Sequence, residues 1–165
     1  MKKLLTIALT CLLLTGCASQ TVFETVDGLP VSGQAVQAKK IDLSLPMEAA
    51  VPTLEGEDGT YLYDCGDYTI STHVFPSGDM DSTLQTLTGF PGANLSHMKT
   101  KQQNMDRYDC VWTAAGETGE TVGRAVVLDD GTYHYAVAVM GNAQAAGELS
   151  AQWKNILKSV TLSTE

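Results

Sequence analysis

The chain has 165 residues, 44% of them hydrophobic and 18% charged, with 19 acidic side chains against 10 basic ones and a formal net charge of −9. That length and apolar content suit one domain with a real core. The acidic balance argues against nucleic acid as a partner, because binding it needs clustered Lys and Arg, and against the body lying flat on anionic lipid.

Met1-Lys2-Lys3 opens the chain with positive charge, and an apolar run of 11 residues follows, Leu4 through Leu14. The run is too short for a membrane span, which needs roughly 20 residues. Charged start, apolar centre and small residues at the end are the three parts of an export signal. Leu14-Thr15-Gly16-Cys17 resembles the bacterial lipobox. The resemblance implies that the Cys17 thiol receives a diacylglyceryl group and that the peptide is cut just before it. Residues 1–16 are therefore expected to be a lipoprotein signal peptide, and Cys11 leaves with it. Cys17 is the expected lipidation site, and a membrane, held through that lipid on its extracytoplasmic face, is the first expected partner. Two acyl chains make a stable anchor at roughly 0.8 kcal/mol per buried methylene. Cleavage leaves 149 residues and, by removing Lys2 and Lys3, a net charge of −11.

Residues 17–38 are small and polar, without sustained periodicity, and read as a lipidated tether; Val22–Val26 is the one stretch there with the look of an ordered element. A single α+β domain is expected over residues 39–165. Ile41, Leu43 and Leu45 alternate with Asp42 and Ser44, the pattern of a half-buried strand, and Pro46 ends it. Tyr61, Tyr63 and Cys65 alternate in the same way, and Gly66-Asp67 turns the chain into a second strand, Tyr68 through Phe75. Asp79 through Thr88 reads as a short helix with Met80, Leu84 and Leu87 on one face, Asp79 as its cap and Gly89 as its stop. A strand is expected within Leu95–Gln103, and another carries Tyr108, Cys110 and Trp112 on one side.

Gly116 and Gly119 bracket a turn. Asp130-Gly131 then joins two strands, Thr121–Leu128 and Thr132–Met140, as a type I′ hairpin. Pairing through that turn sets Leu128 opposite Tyr133, Val126 opposite Tyr135 and Arg124 opposite Val137, with Ala125, Val127, His134, Ala136 and Ala138 on the other face. After Asn142, residues 143–159 read as one long helix with the stripe Ala146, Leu149, Trp153, Ile156, Leu157 and Val160. The alanine-lined face of the last hairpin allows close approach, so the helix is expected to dock there. The expected fold is thus a mainly antiparallel sheet with a long C-terminal helix and one short helix packed on it.

Motifs for chemistry are sparse. Asp79-Met80-Asp81-Ser82-Thr83 has the Asp-x-Asp-x-Thr form of haloacid-dehalogenase-type phosphatases, but Pro76-Ser77-Gly78 parts it from the preceding strand, so a helix cap is the better reading. It also lacks the glycine and glutamate of a calcium loop. His73, His97 and His134 have no second ligand at metal-binding spacing, so no metal and no cofactor is expected. No nucleophile elbow, phosphate-cradling loop or Cys-x-x-Cys pair is present.

Cys65 and Cys110 sit in the same local word, Tyr-Asp-Cys. Export permits a disulfide between them, which would close a loop of about 45 residues worth roughly 4 kcal/mol; two buried free thiols are the alternative. Arg124, Tyr133 and Tyr135 should share one sheet face, with Tyr61, Tyr63, Tyr108 and Trp112 as possible neighbours. These residue types serve binding surfaces and sheet cores alike.

The order of hairpins and the closing helix through Trp153-Lys154-Asn155-Ile156-Leu157-Lys158-Ser159-Val160 look like the PsbP-like fold over residues 39–162. The lipobox and short polar tether also resemble those of uncharacterised lipoproteins of Gram-positive gut bacteria. The fold resemblance implies binding or assembly more than catalysis. The expected role is a non-catalytic binding or accessory module at the cell surface, facing an envelope protein or a small ligand. The alternative is an extracytoplasmic hydrolase with a dispersed acidic site such as Asp79 and Asp81.

Overall fold

The computed structural model describes residues 36–56, 59–89, 95–116 and 119–164, together with the backbone of two short strands further upstream. Those two, β1 (Phe23–Glu24) and β2 (Pro30–Val31), pair antiparallel within a separate N-terminal unit, Met1–Ala35. The signal peptide, Cys17 and most of the segment read as a tether lie outside the described residues.

The second unit, Val36–Glu165, carries the other elements. They are β3 (Lys40–Asp42), β4 (Leu54–Glu55), β5 (Tyr61–Asp64), β6 (Tyr68–Pro76), α1 (Met80–Thr88), β7 (Ser96–Gln102), β8 (Met105–Gly116), β9 (Gly119–Asp129), β10 (Tyr133–Asn142), α2 (Ala143–Glu148), α3 (Ser150–Lys158) and β11 (Thr161–Ser163). The fold is α+β. Seven strands form one antiparallel sheet in the order β4-β5-β6-β10-β9-β8-β7, and β11 pairs with β3 in a separate ladder. Among the described residues no helix is long and apolar enough to cross a membrane.

Period-two alternation sends each strand's side chains to two separate cores. One face gathers Tyr68, Ile70, Val126, Leu128, Tyr135, Val137 and Val139 under Trp153, Ile156, Leu157 and Val160 of the C-terminal helical segment. The other gathers Cys110, Trp112, Ala125, Val127, Ala136 and Ala138 around Leu84 of α1. The C-terminal helical segment therefore docks on the face opposite to the alanines. Large side chains on both partners bury more apolar area there, at roughly 25 cal/mol per Å². The small-residue face instead takes Trp112, whose indole covers Gly123 of β9, its register partner; a Cβ at Gly123 would come within 2.0 Å of the ring. Gly141 serves the helix side in the same way, since a Cβ there would come within 2.8 Å of the Asp67 carbonyl and 3.2 Å of Trp153.

The helix itself is two segments. Asn142 caps α2 by accepting the Ala145 N–H at 2.8 Å, and the backbone breaks at Leu149 (φ −97°, ψ 11°) before α3 resumes. Asp79 caps α1 by accepting the Ser82 N–H at 2.9 Å, and Gly89 ends it in the left-handed region at φ 75°.

The β9–β10 hairpin pairs Tyr135 with Leu128, Val137 with Val126 and Val139 with Arg124, two residues away from the expected register. Gly131 (φ 89°) takes the first central position of the turn and Thr132 the second. That is the place a type II′ turn reserves for glycine. The cause is Asp130, whose carboxylate accepts the N–H groups of Thr132 at 3.0 Å and Tyr133 at 2.9 Å and so sits at the corner, outside the turn's centre.

Cys65 and Cys110 are both free, which corrects the expected disulfide. Cys65 lies in the β5–β6 turn and packs against the helix-side core, whereas Cys110 lies on β8 within the opposite core. From β6 to β8 there are three strand spacings, roughly 14 Å in all. A bridge needs Cα atoms within about 7 Å and Cβ atoms that face each other. Burial, with a smaller contribution from Asp109, pushes the Cys110 thiol up to about 12.

Candidate functional site

The helix-side face is not covered along its whole width. α2 and α3 lie over β9 and β10, while the outer strands β5 and β6 face the chain entering the domain. Between them opens a cleft of about 710 Å³, within the range of roughly 300–1,000 Å³ common for small-molecule sites. Tyr61 and Tyr63 of β5 and Thr72 and Val74 of β6 form one wall, since alternate residues of paired strands project to the same face. Ile41 of β3 and Leu43 form the opposing wall. Pro52 and Gly59 close one end, and Lys39 and Lys40 stand with Ala38 at the rim.

The rim is fixed by a small polar network. Lys39 Nζ lies 2.8 Å from Asp130 Oδ2, the Lys39 N–H donates to the Tyr135 hydroxyl at 3.0 Å, and that hydroxyl donates to Asp130 Oδ2 at 3.2 Å. The Tyr133 hydroxyl donates to the Val36 carbonyl at 2.8 Å. Burial pushes the Asp130 carboxyl up, but the Lys39 ammonium and the N–H groups of Tyr133 and Thr132 outweigh it and hold the group at about 2. The hydrogen bond that its ammonium donates to Asp130 raises Lys39 above the usual ammonium range. On the wall, Tyr63 is raised by burial first, then by Tyr61 and Glu55.

The residues expected to form a surface are thus divided. Tyr133 and Tyr135 share a face, with ring centroids 6.1 Å apart, but their hydroxyls hold the chain's own entry segment. Arg124 lies on that face too, half-buried, next to Val139 and Val111 in register, and it is not part of the cleft. Tyr61 and Tyr63 line the cleft, while Tyr108 and Trp112 belong to the opposite core. The lysine rim was not anticipated; the available signal was Lys39-Lys40 running directly into the Ile41-x-Leu43 alternation.

Asp79 and Asp81 do not meet as an acidic pair at the cleft. Asp79 is committed to Ser82, both sides of which donate to it at 2.9 Å, and both aspartates are exposed on α1. His134 is 1% exposed, with Nδ1 2.7 Å from the Thr83 hydroxyl and Nε2 3.4 Å from the Ser77 hydroxyl and 3.6 Å from Asp129. Thr83 is itself buried and Ser77 half-buried, and the cluster fastens α1 to β10. Among the described residues no three His, Cys, Asp or Glu side chains gather as a metal-binding group.

No family model matches the chain, and no curated protein does. Solved structures do share its fold. LpqN, involved in cell envelope biogenesis of Mycobacterium tuberculosis, superposes with a TM-score of 0.53 at 13% identity, over 81% of this chain and 88% of LpqN. The cyanobacterial PsbP protein CyanoP of Synechocystis superposes with a TM-score of 0.50 at 7% identity, over 81% of this chain and 98% of CyanoP. A protein of Bacteroides thetaiotaomicron gives 0.51 at 10% identity, over 76% of this chain and 46% of its own length. At these identities the likeness is one of fold, and it includes the PsbP-like fold.

Proposed function

We propose that this protein is a non-catalytic binding or accessory module of the cell envelope, held on the extracytoplasmic face of a membrane by lipid on Cys17, with the β3–β5–β6 cleft as its binding site. The observation that carries the reading is the open, aliphatic- and tyrosine-walled cleft, lined among the described residues by no carboxylate, histidine or cysteine. Such a lining can bind and orient a ligand, and it holds no carboxylate, imidazole or thiol among the described residues. The involvement of LpqN in cell envelope biogenesis supports an envelope setting for a fold of this kind.

Native mass spectrometry of the full chain extracted from its own membranes tests both parts. The expected result is a lipid mass on an N-terminal Cys17, abolished by Cys17→Ser, together with a non-covalent small-molecule adduct abolished by Ala38→Trp, which crowds the rim from an exposed position. An unmodified N-terminus overturns the anchor. A wild-type chain as bare as Ala38→Trp overturns the cleft.

A further inference from the structure

From the same cleft, and resting on the reading just given, we infer the class of ligand: an amphiphile with an aliphatic body and a single anionic head group, its body between the two walls and its head at Lys40. Three observations converge on this.

The first is charge. The chain carries −9 overall, yet the only ionised side chains lining the cleft among the described residues are two lysines, Lys39 and Lys40. A lysine without a carboxylate partner at the mouth of a cleft favours an anion there. Nearby acids do not cancel the pair evenly. Asp130 is bound to Lys39 at 2.8 Å, and Glu55 bears on Tyr63 at the wall. Lys40 is exposed, has no carboxylate partner among the described residues, and is left to meet a ligand.

The second is the lining. Ile41, Leu43, Val74 and Pro52 offer aliphatic surface, and the tyrosine rings extend it. Apolar area of this kind rewards methylenes at roughly 0.8 kcal/mol each, and Gln37, Thr72 and Thr164 add hydrogen-bonding groups to the same lining.

The third is the approach. The segment that places Pro52 in the cleft also exposes Met47 and Val51, at 93% and 75% of their full surface. An apolar lip beside an apolar cleft favours a ligand that comes from an apolar phase over one dissolved in water.

The experiment is fluorescence titration of the purified full chain with dansyl-labelled undecanoic acid and, in parallel, with its uncharged methyl ester. The acid should bind saturably and more tightly than the ester. Lys40→Glu should weaken the acid about tenfold and leave the ester unchanged, because Lys40 pairs through its backbone with Ser163 on a surface strand and its reversal does not touch the core. Ala38→Trp should weaken both probes. Displacement of the bound acid by oleate or by lysophosphatidylglycerol then assigns the head group as carboxylate or phosphate. Equal binding of acid and ester, or an acid affinity indifferent to Lys40→Glu, overturns the anionic head while the cleft stands. Binding of neither probe, with the native-mass adduct still present, overturns the aliphatic body. Absence of both overturns the binding site itself.

Discussion

The Lys39 ammonium lies 2.8 Å from the Asp130 carboxylate, a pair separated by 91 positions in sequence that ties the start of the domain to the tip of the β9–β10 hairpin. Asp130 also receives two backbone N–H groups of its own turn. The two roles separate by substitution. Asp130→Asn keeps an acceptor for the turn and loses the ion pair, so it should cost less than removal of the whole side chain. Asp130→Ala loses both and should cost about 1–3 kcal/mol. Urea midpoints check this ordering, and equal losses would mean that the turn does not depend on the side chain. The acid dependence has a definite sign. Asp130 is held at about 2 in the folded protein, below the roughly 3.9 of an unfolded aspartate. Its ionic contribution is complete above about pH 4 and fades as pH falls toward 2. The stability gap between the wild type and Asp130→Asn should close across that window, and a gap that stays constant would remove Asp130 as its source.

Gly123 and Trp112 should behave as one unit. Gly123→Ala drives a methyl group into the indole, and overpacking of this kind costs about 1–3 kcal/mol. Trp112→Leu alone leaves a void. The double variant should lose less than the sum of the two single losses, with a coupling of about 1 kcal/mol or more. Strict additivity in urea denaturation would show that the ring does not rest on the glycine.

Both cysteines should titrate as thiols after purification in air. Cys110 is 5% exposed, and burial holds its thiol at about 12. Ellman's reagent should leave it unreacted in the native protein and modify it on unfolding. Reductant should leave the unfolding midpoint unchanged, because no bond closes the loop between Cys65 and Cys110. A midpoint lowered by reductant would restore the disulfide.

Where local chemistry decides an element, the sequence carried it: the cap at Asp79 and the stop at Gly89, the turn at Gly66-Asp67, and the return between Gly116 and Gly119 all stand where residue type places them. The slip at Asp130-Gly131 is instructive. A glycine can occupy either central position of a two-residue turn, and the choice was made by the Asp130 side chain. Because the shift is two residues, an even number, every side chain kept its face even though every cross-strand partner changed. The helical stripe through Trp153 was legible, but a stripe does not say which face of a sheet it meets; that depends on the bulk of residues from four strands at once. The cleft was least legible, because its walls come from β3 and from β5–β6, and the pair that fixes its rim joins Lys39 to Asp130 across most of the domain.

The sheet's two outer strands bear on how copies of this chain behave when crowded. At one end β4 has two residues, too few to template a neighbour. At the other, β7 is exposed along nearly its whole length, and Lys99 and Lys101 both reach back to Asp106 of β8. Two cations held beside that open ladder penalise a second molecule aligning its own β7 there. Both outer strands therefore disfavour edge-to-edge pairing of one copy's sheet with another's.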